Sequence, residues 1–166
     1  MEILIDTRER NALCFQFVHG VSVKSECLNV GDYACRHKNG KMDGAVIERK
    51  SVADLFHSFT HKYDNEKAKI ERAKNAGLKY ILAIEAPALE IRKGHSYWID
   101  SKECKVQKDG LSQVRQIMTI QRKYGVEVWW CASRDEMAFR IQEYFLAQER
   151  ISLAENTKIV NVGGVS

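Results

Sequence analysis

The chain has 166 residues, of which 45% are hydrophobic and 29% are charged, and it contains a single proline. This composition excludes disordered, collagen-like and mucin-like chains and indicates one compact domain with its own core. The formal net charge of +4 permits a nucleic-acid partner without requiring one, because many enzymes that act on small anions are equally basic.

The cysteine pattern and the hydropathy indicate a cellular compartment. Five cysteines lie far apart, with no C-x-x-C pair and no histidine at zinc-finger spacing, so we expect reduced, mostly buried thiols. No window approaches the roughly 18 apolar residues of a membrane span, and the first residues lack the pattern of a signal peptide. The sequence therefore predicts an intracellular, soluble protein that does not bind membranes, located in the cytoplasm if its source is bacterial or phage.

The beginning of the chain predicts a series of short strands. Residues 2–6 form a short apolar run, and residues 21–28 alternate apolar and polar side chains as a half-buried strand does. Residues 32–37 and 42–48 flank an Asn-Gly turn, which supplies the positive φ of a tight connection. We therefore expect a β-hairpin after the first two strands.

The remainder of the chain alternates helices and strands. Ser51 is placed as a helix N-cap, and helical sequence continues from it to Gly77 with a break near Thr60. A continuous apolar run at 80–84 predicts a central strand covered on both faces, and a helix, a strand and a helix follow from residue 111. This order predicts an α/β fold with a mixed central sheet flanked by helices.

Two segments are less regular. Residues 86–110 contain glycines, a proline and many charges, and we expect a long loop with at most one helical turn. Residues 151–166 include a short β-prone run after polar sequence, so we expect a tail that is either disordered or an edge strand. The domain is accordingly expected to span residues 1–150.

Acidic residues occur in both strands of the predicted hairpin. A suitable antiparallel register brings the side chains of Asp32 and Glu48 within reach of one ion. Residues two apart in a strand share a face, so Glu48 and Lys50 point the same way and Arg49 points to the other side.

Two carboxylates and a lysine suit the hydrolysis of a phosphodiester. Carboxylate oxygens bind Mg²⁺, which polarises the phosphate and activates water. Lys50 would either orient that water or neutralise charge that develops on the phosphate. The other interpretation of the same residues is a surface hairpin with ordinary ion pairs.

A further acidic segment follows the first strand directly. Asp6, Thr7, Arg8 and Glu9 come at the carboxyl end of that strand, where α/β folds tend to place ligand-binding groups. The alternative is that Asp6 or Thr7 caps a helix that begins near Arg10.

The three segments together resemble the XPF-type nuclease domain family, whose marks are D-x-R-E, G-D-Y and E-R-K-x-x-x-D. They correspond here, in the same order, to residues 6–9, 31–33 and 48–54. The family belongs to the restriction-endonuclease-like, PD-(D/E)XK class. The resemblance therefore implies a restriction-endonuclease-like mixed sheet with helices on both faces. It also implies an endonuclease that cuts branched or flapped DNA in repair or recombination, with plain duplex DNA as the other substrate.

The resemblance also implies a role for each matching residue. Asp32 and Glu48 correspond to metal ligands and Lys50 to the catalytic lysine, with Mg²⁺ as cofactor and Mn²⁺ as a substitute. Asp6 and Glu9 are expected as further acidic groups at the catalytic centre, with Asp6 as an additional metal ligand.

Three more residues are expected around this centre. Arg49 is expected either at the phosphate or in ion pairs that hold the site. Asp54, in the first turn of the following helix, is expected to support Arg8 or Arg49 through a charge-assisted hydrogen bond.

The chain departs from the family pattern in two ways. Where family members carry an arginine and a glutamine in the next helix, this chain has Lys62 and Glu66. We expect Glu66 to be either a further acid beside the metal or a solvated helix residue. The chain also has no room for the tandem helix-hairpin-helix domain of larger relatives, so selection of branched DNA is left open.

Other interpretations follow from the same sequence. A non-catalytic DNA-binding or dimerisation module of the same fold is the alternative function, although all the acids are retained here. The resemblance implies a homodimer that uses the helices after residue 110 and the tail. The many lysines and arginines between residues 62 and 79 indicate either a solvated helix surface or a basic face for DNA phosphates.

Overall fold

The computed structural model describes residues 1–16, 19–94, 97–99, 102–104 and 109–162, and the side chains of all these except 97–99, 102–104 and 155–162. The strands are β1 (Glu2–Asp6), β2 (Ser22–Glu26), β3 (Tyr33–Arg36), β4 (Ala45–Lys50), β5 (Lys79–Ile84), β6 (Tyr97–Ile99), β7 (Lys102–Cys104) and β8 (Glu127–Trp130). The helices are α1 (Val52–His61), α2 (Tyr63–Asn75), α3 (Ala88–Arg92), α4 (Gly110–Tyr124) and α5 (Arg134–Val162).

The main sheet is mixed and six-stranded, in the order β2-β1-β3-β4-β5-β8. β3 runs antiparallel to its neighbours β1 and β4, and the other neighbouring pairs are parallel. The carboxyl ends of β1, β4 and β5 therefore lie at the same edge as the amino end of β3. The candidate site lies at this edge.

Helices cover both faces of the sheet. One face, which includes Leu4, Val46 and Leu82, packs under α1, α2 and α4. The opposite face, which includes Ile47 and Ala83, packs under α5. The predicted α/β fold with a mixed central sheet flanked by helices is confirmed.

The predicted helical region after Ser51 consists of two helices. The side chain of Ser51 accepts a hydrogen bond from the backbone N–H of Asp54 and caps α1, as predicted. Lys62 leaves the helical conformation with φ −128° and ψ 28°, which separates α1 from α2 close to the predicted break at Thr60. Gly77 follows α2 with φ +70°, a left-handed conformation that favours glycine.

Two expectations about exposure are wrong. β2 is mostly exposed, because it lies at the edge of the sheet and no helix covers its alternating side chains. Among the described cysteines only Cys35 and Cys131 are buried, whereas Cys14 and Cys27 are exposed.

The segment at 86–110 contains more regular structure than predicted. It includes the expected helical turn, α3, but also a hairpin formed by β6 and β7. Each of these strands has three residues, which is too short for an alternating pattern to be recognised. Residues 95–96, 100–101 and 105–108 of the predicted loop lie outside the described residues.

The tail is helical, so the expectation of a disordered segment or an edge strand is wrong up to residue 162. α5 has 29 residues and continues through residue 150, where the domain was expected to end. Residues 147–156 are mostly good helix formers, and a helix already formed extends into a β-prone end at little cost. Residues 163–166 lie outside the described part of the chain. No described helix is long and apolar enough to cross a bilayer.

A buried charged cluster ties α5 to the turn between β3 and β4. Nδ1 of His37 lies 2.6 Å from a carboxylate oxygen of Glu149, and its Nε2 lies 3.1 Å from one of Asp43. Glu149 also accepts a hydrogen bond from the backbone N–H of Lys38. α5 is therefore held to the sheet by this cluster as well as by its apolar face.

Candidate active site

The predicted site residues converge at the edge where β1 and β4 end and β3 begins. The backbone N–H of Asp6 donates to the carbonyl of Asp32 at 2.8 Å, and the N–H of Asp32 donates to the carbonyl of Ile47 at 2.9 Å. Asp32 is therefore held between the end of β1 and the residue that precedes Glu48.

Gly31 allows this close approach. Its φ of +80° is a left-handed conformation that favours glycine. A Cβ atom at this position would lie 3.0 Å from Cβ of Val46 and 3.3 Å from the carbonyl oxygen of Ile47. A larger residue would therefore push the backbone before Asp32 away from β4.

Strand alternation divides the residues of β4 between the two faces of the sheet. Val46, which is in phase with Glu48 and Lys50, belongs to the core under α1 and α2. Ile47, which is in phase with Arg49, belongs to the core under α5. Glu48 and Lys50 thus share one face with Arg49 on the other, as the alternation predicts.

Asp32 is a half-buried carboxylate in an unfavourable environment. Its Oδ2 accepts a hydrogen bond from the backbone N–H of Arg49 at 2.8 Å. Burial, and after it the negative charge of Glu48, raises the pKa of Asp32 to about 7. The charge of Glu48 thus disfavours ionisation of Asp32, and a bound cation would relieve this repulsion.

Glu48 is a buried carboxylate that is kept ionised by two lysines. Its Oε1 accepts hydrogen bonds from Nζ of Lys50 at 3.0 Å and from Nζ of Lys69 on α2. Burial opposes ionisation, but the charges of Lys50 and Lys69 outweigh it and lower the pKa of Glu48.

Lys50 is buried between two acids. Besides Glu48, its Nζ donates to Oε1 of Glu66 at 2.9 Å and lies 3.4 Å from Oγ of Ser58. Burial favours the neutral amine, yet the charges of Glu48 and Glu66 outweigh it and raise the pKa of Lys50. Glu66 is itself 5% exposed, so it is a buried acid of the site and not a solvated helix residue.

The donor set fits a divalent cation of the Mg²⁺ type. In proteins Mg²⁺ is held by one or two carboxylates and keeps several waters. Asp32 and Glu48 supply two carboxylates to one cleft, and the ammonium groups of Lys50 and Lys69 already place positive charge at Glu48. Within the described residues, no group of three or more histidines, cysteines, aspartates or glutamates is placed to hold a metal. The expected third ligand, Asp6, therefore does not join the other two in this arrangement.

Asp6 is instead engaged in hydrogen bonds that fix the neighbouring loop. Its carboxylate accepts two bonds from the side chain of Arg8 and one from the backbone N–H of Leu28, all between 2.7 and 2.9 Å. The bonds from Arg8 come first among the causes that lower the pKa of Asp6 to about 2. No helix begins at residue 10, so the alternative of a helix cap is wrong.

We predict that Asp6→Asn destabilises the fold by about 2 kcal/mol near neutral pH, because the pKa of Asp6 falls from 3.8 to about 2 on folding. A carboxyl group whose pKa is lowered on folding stabilises the folded state at any pH above its pKa in the unfolded state. This stabilisation is lost as the pH falls through its pKa in the folded state. Urea unfolding should therefore show a gap between wild type and variant that narrows between about pH 4 and pH 2. An equal gap at every pH would contradict the prediction.

Arg49 lies in an ion-pair network on the opposite face of the sheet. Its Nε donates to Oε1 of Glu85 at 2.7 Å, and its Nη1 lies 3.2 Å from both carboxylate oxygens of Glu9. Arg134 at the start of α5 donates to the same Glu85 oxygen at 2.9 Å and to the carbonyl of Asn11. Arg49 and Glu9 thus hold the β4 end in ion pairs, one of the two roles expected for Arg49.

The expected partner of Asp54 is wrong. Asp54 accepts a hydrogen bond from Oγ of Ser51 at 2.7 Å and completes the cap of α1, whereas Arg8 is bonded to Asp6 and Arg49 to Glu85. The capping bond joins residues three positions apart, and it occupies the Asp54 carboxylate at the start of its own helix. Lys62 is exposed at the junction of α1 and α2, and its accessory role stays a prediction.

A cleft of about 200 Å³ opens beside the acid pair and is lined by Asp6, Arg8, Asn29, Val30, Gly31, Asp32, Glu48, Lys69 and Arg72. Lys69 and Arg72 belong to the basic stretch for which a DNA-binding face is one of the two interpretations, whereas Glu85 and Arg134 are not among the predicted site residues. A signal was present for Glu85, which is an acid directly after a buried strand. Lys69 follows Glu66 by three residues and therefore shares its helix face.

The mixed six-stranded sheet with helices on both faces is the α/β fold that the resemblance to XPF-type nuclease domains implies. The sequence profile of the ERCC4 domain matches residues 5–143. The chain therefore belongs to the ERCC4 domain family, and the resemblance to XPF-type nuclease domains is confirmed.

Solved structures agree with this assignment of the fold. XPF from Aeropyrum pernix is similar with a TM-score of 0.61 and 18% sequence identity, over 90% of this chain and 66% of that chain. A structure of the same protein in complex with DNA is similar with a TM-score of 0.60 and 17% identity, over 93% of this chain and 66% of that chain. This chain thus spans about two thirds of those XPF chains. No curated protein is significantly similar to it in sequence.

Proposed function

We propose that this protein is a metal-dependent DNA endonuclease that hydrolyses phosphodiester bonds in branched or flapped DNA during repair or recombination. The observation that carries the proposal is the pair formed by Asp32 and Glu48 at the cleft, with Lys50 bonded to Glu48. Membership of the ERCC4 domain family and the DNA complex of the similar XPF chain support a nucleic-acid substrate.

We assign a different role to each side chain at the candidate site. Asp32 and Glu48 would hold Mg²⁺, or Mn²⁺ in its place, and when bound the cation supplies a Lewis acid for the phosphate and a stronger water nucleophile. Hydrolysis breaks one P–O bond, adds water across it and places negative charge on the phosphate oxygens. Lys50 stays charged and fixes Glu48, so we assign it to neutralising that charge. Its Nζ already has Glu48, Glu66 and Ser58 within 3.4 Å, which argues against the alternative of orienting water.

The remaining groups position the site or contact the substrate. Arg49 and Glu9 hold the end of β4. Asp6 holds Arg8 at the mouth of the cleft, and the side chain of Arg8 is 67% exposed. We assign Arg8 and Arg72 to contacts with DNA phosphates, because exposed arginines bind phosphate oxygens bidentately. The homodimer stays a prediction: exposed apolar side chains lie on α4 at Met118 and on α5 at Phe139 and Ile151.

The test is a panel of labelled DNA substrates incubated with Mg²⁺, Mn²⁺, Ca²⁺ or EDTA. We expect cuts in fork and flap DNA with Mg²⁺ or Mn²⁺, weaker cutting of plain duplex, and none with EDTA. The Asp32→Asn variant, purified in the same way, controls for contaminating nucleases. DNA binding without cut products in any metal would contradict the proposal and favour the non-catalytic module of the same fold.

A further inference from the structure

Lys69 is the second lysine whose ammonium group contacts the carboxylate of Glu48. Its Nζ donates to Oε1 of Glu48, which also accepts from Lys50 at 3.0 Å, and it lies 3.6 Å from Oε1 of Glu66. The side chain of Glu48 is 3% exposed, whereas that of Lys69 is 31% exposed. The ammonium of Lys69 thus contacts a buried acid, although nearly a third of the Lys69 side chain is exposed.

The two lysines are held with different strength. Lys50 is 7% exposed and has additional partners in Glu66 at 2.9 Å and Ser58 at 3.4 Å. Lys69 depends on Glu48, since its distance to Glu66 is beyond that of a good hydrogen bond. A cation that arrives at Glu48 through the cleft therefore meets Lys69 at the carboxylate, and Lys69 is the group able to leave.

Two further cationic side chains lie near Lys69 at the mouth of the cleft. Arg72, one turn further along α2, lines the same cleft, as does Arg8. Three cationic side chains around one opening form a site for a phosphate group of DNA. We propose that Lys69 is a displaceable cation: it neutralises Glu48 in the metal-free protein, competes with the divalent metal, and binds a DNA phosphate once displaced. This inference rests on the proposed function, because it requires Asp32 and Glu48 to bind the metal.

The first test is the affinity of the metal-free protein for Mn²⁺, measured by calorimetry without DNA. Lys69→Met removes the competing ammonium and is expected to tighten Mn²⁺ binding by about two- to fivefold, the value of a moderately exposed ion pair. Lys67→Met is the matched control, with the same loss of charge on the same helix. Lys67 bonds to Asp64 at 2.6 Å and lies over the Tyr63 ring at 4.9 Å, so its loss should leave Mn²⁺ affinity unchanged.

The second test is DNA affinity with Ca²⁺ in place of Mg²⁺. Lys69→Met should weaken binding of fork DNA and lower the slope of log Kd against log salt by about one, as loss of one phosphate contact does. The expected signature is therefore opposite in sign for the two ligands, tighter for the metal and weaker for DNA. A lysine with only a structural role would lower the melting temperature and move neither affinity in this way.

The variant should fold, because Lys50 still compensates Glu48 and methionine is a good helix former. Lys69→Gln is the second variant if the first does not fold. The inference is overturned if wild type binds Mn²⁺ and cuts DNA while neither Lys69 variant binds Mn²⁺ more tightly than Lys67→Met. A wild-type protein that neither binds Mn²⁺ nor cuts DNA would overturn the proposed function itself.

Discussion

Asp32→Asn is expected to abolish DNA cleavage and, at the same time, to stabilise the metal-free protein. The amide keeps the shape of the side chain and an oxygen that can accept the backbone bond from Arg49. The substitution removes one of the two carboxylate charges that we propose to bind the divalent cation. Loss of a group that merely orients a metal ligand costs 10- to 100-fold, so we expect loss of a ligand to cost about 10³-fold or more in cleavage rate.

The stability gain follows from the pKa of Asp32, which burial and the charge of Glu48 raise from 3.8 to about 7. An acid whose pKa is raised on folding increasingly destabilises the folded state as the pH rises from its unfolded-state pKa to its folded-state pKa. For Asp32 this destabilisation is complete above about pH 7. We expect Asp32→Asn to be more stable than wild type by on the order of 2 kcal/mol at about pH 8 in EDTA. The difference should shrink as the pH falls toward 4.

Two measurements check this prediction. Urea unfolding in EDTA compares the stabilities, and the same experiment with Mg²⁺ should stabilise wild type but not the variant. Asp64→Asn is the matched control, since Asp64 is 90% exposed on α2 and bonds to Lys67. A variant that cuts DNA at the wild-type rate, or that is less stable than wild type at about pH 8 in EDTA, would contradict the assignment of Asp32.

Lys50→Met is expected to lose both cleavage and stability. Lys50 neutralises two buried acids, and removing one partner of a buried ion pair leaves an uncompensated charge that costs about 3 kcal/mol. The variant also loses the positive charge that we propose to neutralise the developing charge on the phosphate, so we expect cleavage to fall about 10²-fold or more.

A double variant separates the two effects. Lys50→Met combined with Glu66→Gln removes the second buried charge, so most of the stability should return while cleavage stays low. Melting temperatures and cleavage rates of the single and double variants provide the comparison, and Lys67→Met is the control for charge. Recovery of cleavage together with stability would mean that Lys50 acts only on the fold.

The geometry of Glu48 and Lys50 could be predicted because it depends on local rules. Alternation along one strand places them on one face, and the Asn-Gly turn places Asp32 beside them, directly before the neighbouring strand β3. The glycine before Asp32 is explained only by the structure, since the atoms it would meet belong to Val46 and Ile47.

The other features of the site depend on contacts between distant parts of the chain. Arg49 of β4 binds Glu85, and Glu85 binds Arg134 at the start of α5, so neither pair lies within a motif. The bond from Lys69 to Glu48 requires the packing of α2 on the sheet, which no pattern within α2 specifies. The resemblance implies Asp6 as an additional metal ligand, but the carboxylate of Asp6 is bonded to Arg8, two residues later.

The helical tail shows a different limit. Its last residues favour a strand by their own propensity, yet they continue a helix anchored earlier by Phe145 and by the bond between Glu149 and His37. Tertiary anchoring outweighs local preference there.

The anomalous scattering of crystals soaked with Mn²⁺ tests directly the proposal that residues 32 and 48 share one divalent ion. We expect one peak at about 2.0–2.2 Å from a carboxylate oxygen of Asp32 and one of Glu48, with Lys69 moved away from Glu48. An empty cleft at saturating Mn²⁺, or a peak bound to other residues alone, would contradict the proposed metal site.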